Sequence, residues 1–90
     1  MDYEFRWNEW NLKHIAVHGV LPHEAEEVVR LARRPYPRRE GKRKYRVRGQ
    51  TIDGQYLQVF YVIGPDGMLY VIHARPMTEN EKRQLRRERS

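Results

Sequence analysis

Apolar and polar residues alternate at the start of the chain and again through its second half, and between these stretches the period lengthens to that of a helix. Tyr3-Glu4-Phe5-Arg6-Trp7 predicts a short first strand, since successive strand side chains point to opposite faces. Asn8 is placed to cap a helix that reaches about His18, with Leu12, Ile15 and Trp10 as its buried positions and Gly19 ending it in a left-handed conformation. Pro22 suits the first turn of a second helix, where Ala25, Val28, Val29 and Ala32 recur at i, i+3, i+4 and i+7. Pro35 and Pro37 stop that helix, and Arg38 to Lys42 reads as a loop or irregular edge. Strands follow over 43–51, 55–63 and 68–75, then a helix over 79–88. Charge at its end predicts fraying over residues 86–90.

These elements specify an α+β fold: a small antiparallel sheet, made of the short N-terminal strand and a three-stranded meander, with two N-terminal helices and a C-terminal helix. Turn length then decides which side chains share a face. A two-residue Asp53-Gly54 turn would mix Arg46 and Arg48 with Val59 and Tyr61. A three-residue Ile52-Asp53-Gly54 loop, with Gly54 left-handed, aligns them with Gln58 and Phe60 and is the better fit. A four-residue Gly64-Pro65-Asp66-Gly67 loop in the second hairpin completes a core face of Tyr45, Val47, Leu57, Val59, Tyr61, Ile63, Tyr70, Ile72 and Ala74. The opposite face carries Lys44, Arg46, Arg48, Tyr56, Gln58, Phe60, His73 and Arg75, with Arg48, Gln58 and His73 in one cross-strand row.

Ninety residues without cysteine support one domain over 1–90, with disulfides, thiol catalysis and thiolate metal sites excluded. No apolar run approaches the roughly 20 residues needed to span a bilayer, and Met-Asp-Tyr-Glu is unlike a signal peptide; a cytoplasmic protein with no membrane partner is expected. The net charge of +6 is unevenly distributed, with ten bases against Glu40 between Arg30 and Arg48. Arg30, Arg33 and Arg34 are accounted for by the negative end of the second helix, as Glu24, Glu26 and Glu27 are by its positive end. Lys44, Arg46 and Arg48 remain as a basic strand face suited to a polyanion, nucleic acid foremost, unless they serve only as solvated surface.

Arginines bind phosphate bidentately, and Tyr56 and Phe60 can stack on unpaired bases, which points to single-stranded RNA. His73, beside Arg48 and Arg75, is expected to hold a lowered pKa and a neutral imidazole. Cleaving RNA without a metal requires activation of the ribose 2′-hydroxyl, stabilisation of the phosphorane and protonation of the leaving oxygen. On this reading His73 does the acid–base work, Arg48 and Arg75 clamp the scissile phosphate, and Lys44, Arg46, Tyr56 and Gln58 position the RNA. The competing reading of His73 is a polar strand residue bonded to Gln58. His14 and His18 are four apart on a helix, but no third ligand or intervening general-base Glu makes them a metal motif, and no metal or cofactor is expected.

Phe5-Arg6-Trp7-Asn8-Glu9, Asn11, His18-Gly19-Val20 and Glu24-Ala25, together with Gly49, the Gly54 to Tyr61 strand, Ile72-His73-Ala74-Arg75 and Glu81-Lys82-Arg83, resemble the BrnT-type toxins, small bacterial ribonucleases. That resemblance implies a RelE-like fold and RNA cleavage without metal or cofactor, on single-stranded RNA such as mRNA. It also implies a BrnA-like ribbon-helix-helix antitoxin, with DNA engaged only through that partner. Asn8 stands where the family usually has an acidic residue, His73 where it has Ser, and Leu85 where a Tyr is often found. A non-catalytic module that binds RNA or an antitoxin through the same face is the alternative.

Overall fold

The computed structural model describes residues 3–89. The elements are β1 (Phe5–Arg6), α1 (Glu9–Ala16), α2 (Pro22–Arg30), β2 (Arg38–Gly41), β3 (Lys44–Gln50), β4 (Tyr56–Ile63), β5 (Leu69–Pro76) and α3 (Glu79–Arg89). One five-stranded sheet has the order β1-β5-β4-β3-β2. It is mixed rather than wholly antiparallel, because β1 runs parallel to β5. The two helices carry the chain to the far edge of the sheet, and the meander then returns strand by strand to β1.

Two highly charged segments are more ordered than their sequence suggests. Arg38–Gly41, expected as a loop or an irregular edge, is the second of these: an edge strand antiparallel to β3, with Arg38 opposite Arg46 and an irregular register between Arg39 and Gly41. The like charges are tolerated because each guanidinium has its own carboxylate, Glu88 at 3.0 Å from Arg38 and Glu40 at 3.2 Å from Arg46. Residues 86–89, expected to fray, belong to α3, and Glu88 ties that turn down by accepting from the Tyr36 hydroxyl at 2.8 Å as well as from Arg38. Ser90, in the same expectation, lies outside the described residues.

The two hairpins of the β3–β4–β5 meander close with three-residue loops. The first is the expected one: Thr51 and Gln55 face each other across residues 52–54, and Gly54 has φ of 89°. The second is one residue shorter than expected, because Gly67, at φ of 82°, and the Asp66 carboxylate, which accepts from the Met68 N–H at 3.0 Å, close the chain over residues 65–67. This shift puts Tyr70 opposite Val62, so Tyr70 leaves the core and donates its hydroxyl to Asn8. Ile72 is then the extra residue of a bulge between Val71 and His73, so it too lies outside the buried core. The bulge restores parity, and Ala74, His73 and Arg75 regain the faces that the alternation assigns.

The core lies between the sheet and the first two helices, where Val47, Leu57, Val59, Tyr61, Leu69, Val71 and Ala74 pack with Ala25, Val28, Val29 and Ile15. Asn11, not Leu12 or Trp10, shares the buried side of α1 with Ile15. Its carboxamide donates to the Arg6 carbonyl at 3.0 Å and accepts from the Asn8 N–H at 2.8 Å, while Asn8 caps the helix through Trp10 and Asn11. Those bonds fix the rotation of α1, which leaves Trp10 and Leu12 facing outward. Among the described residues no helix is long and apolar enough to cross a membrane.

Candidate functional site

Cross-strand pairing of Arg46 with Phe60 and His73, and of Arg48 with Gln58 and Arg75, assembles the basic face, but in a different row from the one expected. Gln58 pairs with Arg75, and His73 with Phe60. The shorter second loop and the bulge together account for this displacement of two residues.

α3 covers the Arg48 end of that face. Glu81 accepts from both terminal nitrogens of Arg75, at 2.8 Å and 2.7 Å, and its Oε2 also accepts from Arg48 Nη2 at 3.3 Å. Arg48, only 8% exposed, further donates from Nε to Gln58 at 2.7 Å and from Nη1 to Gln84 at 3.0 Å. Hydrogen bonding from Arg75 holds the Glu81 carboxyl down to about 2, against an opposing effect of burial and with help from the Thr78 N–H and the charges of both arginines. The same hydrogen bond raises the pKa of Arg75.

The phosphate clamp expected of Arg48 and Arg75 is therefore filled by a protein carboxylate, and both residues join the sheet to α3. Gln58 is buried at 4% and serves Arg48, so it does not present its carboxamide at the surface. Lys82 of α3 lies over the Tyr56 ring at 5.4 Å, and Arg46 is paired with Glu40. The signal for Glu81 was present in the sequence as Thr78-x-x-Glu81, a capping box in which each residue bonds the other's backbone N–H, at 2.9 Å and 3.1 Å.

The other end of the face gains residues from α1 and from the turn that follows it. Lys44 sits over the Phe60 ring at 5.2 Å, Phe60 meets His73 edge-on at 6.0 Å, and His73 meets His18 edge-on at 5.2 Å. His14 of α1 and His18 of the turn that follows it line, with Lys13, Val17 and His73, a cavity of about 250 Å³. The pKa of His73 is lowered, first by burial and then by the charges of His18, Arg75, His14 and Lys44. Its Nδ1 is buried without a hydrogen-bond partner among the described residues, so an imidazolium would leave an N–H unsatisfied there. Among the described residues, no group of three or more His, Cys, Asp or Glu has a geometry that could hold a metal ion.

Of the residues expected to act together, the structure keeps His73 and Lys44 on one surface, buries Arg48 and Gln58, and ties the half-buried Arg75 to Glu81 of α3. Lys13, His14 and His18 were not placed with His73 by the sequence, which offered the two histidines only as a weak metal pair; their spacing of four was the available signal. In comparisons with known proteins, no family model, no curated protein and no solved structure matches the chain.

Proposed function

We propose that this chain is an RNA-cleaving toxin of the BrnT type, whose reactive centre is His73 in the cavity between α1 and β5. The observation that carries the reading is the edge-on pair of His73 and His18, 5.2 Å apart, inside a cavity also lined by Lys13 and His14. A neutral imidazole can accept the 2′-hydroxyl proton, a neighbouring imidazole can return one to the leaving 5′-oxygen, and Lys44 offers positive charge to the phosphorane. The 2′-oxygen attacks the adjacent phosphorus, the bond to the 5′-oxygen breaks, and no cofactor is consumed. Arg48 and Arg75 act as supports, since their pairing with Glu81 fixes the strand that presents His73.

The partner implied by this reading is a ribbon-helix-helix antitoxin that neutralises the protein by covering the His73 end of the basic face. Purified protein is expected to degrade single-stranded RNA in EDTA; intact RNA at every protein concentration would overturn the catalytic reading. A second reading, a non-catalytic module that binds RNA or an antitoxin, draws on two observations. Glu81 occupies the arginines that would clamp phosphate, and no acceptor orients His73 through Nδ1. It predicts RNA binding without product.

A further inference from the structure

Between the outward face of α1 and β5 lies an aromatic ladder that the core does not use. Trp10, 51% exposed, stacks on His14 with centroids 4.1 Å apart and planes 21° from parallel, and lies within 19° of parallel to Tyr70 at 6.2 Å. Asn8 sets this arrangement, because its Oδ1 accepts both the Trp10 N–H and the Tyr70 hydroxyl, each at 3.0 Å. The ladder is thus ordered before any ligand arrives, and His14, its last member, lines the His73 cavity. Trp7 makes a useful contrast: its indole N–H donates to Glu26 at 2.7 Å, and its ring packs against the core.

Lys13 lies at the junction, lining both the His73 cavity and a second hollow formed with Glu9 and Trp10. It pairs with Glu9 at 3.4 Å, with side chains 76% and 85% exposed. Such a pair contributes little, so the ammonium can exchange the carboxylate for a phosphate.

We infer that the Tyr70–Trp10–His14 ladder is a subsite for one unpaired RNA base, with Lys13 holding that nucleotide's phosphate as the backbone enters the His73 cavity. The inference rests on the RNA reading above and adds how the strand is gripped. Stacking on aromatic rings tolerates any base, because every base has a π-face, so the subsite selects unpaired strand rather than sequence.

The test uses short 2′-O-methyl RNAs, which cannot be cleaved through the 2′-oxygen, titrated at low salt by fluorescence anisotropy. One series is intact, and another carries a single abasic nucleotide moved along the strand. Trp10→Ala is expected to weaken binding of intact RNA at least about fivefold, and Trp10→Phe to retain most of it. In the unmodified protein one abasic position should cost a similar factor, and that cost should vanish in Trp10→Ala. The abasic series needs no variant, so it decides the matter even if Trp10→Ala does not fold. Equal affinity for intact RNA with and without Trp10, or no abasic position that matters, overturns the subsite while leaving RNA binding in place. No binding of any RNA by the unmodified protein overturns the RNA reading itself, and the subsite with it.

Discussion

Glu81 grips Arg75 with both carboxylate oxygens, at 2.8 Å and 2.7 Å, and this pair is what fastens α3 across the sheet. The same carboxylate receives Arg48 from β3, so one acidic side chain links two strands to the helix that crosses them. The basic face is thereby split into a structural half and the half that holds His73.

Replacing Glu81 with Gln tests that division. The variant leaves Arg48 buried with a lost ionic partner and reduces the Arg75 pair to a neutral contact, so unfolding in urea should show a loss of roughly 2–4 kcal/mol. If α3 were only loosely laid on the sheet, the loss would stay below about 0.5 kcal/mol.

Acid should release α3 in a defined range. The folded-state pKa of Glu81, about 2, lies below its ordinary 4.5, so its stabilisation is complete above about 4.5 and is lost as pH falls through about 2. The full contribution is about 3 kcal/mol at neutral pH. Glu88 works in the same direction: burial opposes ionisation, but bonds from Tyr36 and Arg38 outweigh it and lower its pKa. Chemical unfolding followed between pH 5 and 2 should therefore show stability falling steadily, and in Glu81→Gln the fall should be much smaller.

Gly54→Ala probes the first hairpin. A φ of 89° strains any residue with a Cβ, so the substitution should lower stability by about 1–2 kcal/mol even though the space around Gly54 is open, with only Gln50 Nε2 at 3.9 Å. A neutral effect in a thermal melt would mean that the loop does not hold the three-residue form that sets the register of β3 and β4.

The main elements were legible because the periodicity of residues 43–63 is strict and because Asp53-Gly54 admits few turns. Two things were not. The second hairpin gave up one loop residue and recovered it as the bulge at Ile72, two compensating changes that leave the hydrophobic pattern nearly untouched while moving Tyr70 out of the core and changing His73's partner. The edge at Arg38–Gly41 was left open between a loop and an irregular edge, since nothing local shows that the distant Glu88 would pair with Arg38. The candidate site suffered most from α3: strand parity located the basic face, but only the packed helix reveals that Glu81 claims Arg48 and Arg75. His14 and His18 were visible as a pair, yet their approach to His73 depends on how Asn11 rotates α1.

The most direct test of the account compares His73→Gln with the unmodified protein for both binding and cleavage of the same single-stranded RNA in EDTA. Removing a group that moves protons in the transition state should slow cleavage by about 10²- to 10⁴-fold while the dissociation constant changes little. Cleavage and binding that fall together, or cleavage that persists at the unmodified rate, would contradict a reactive centre at His73.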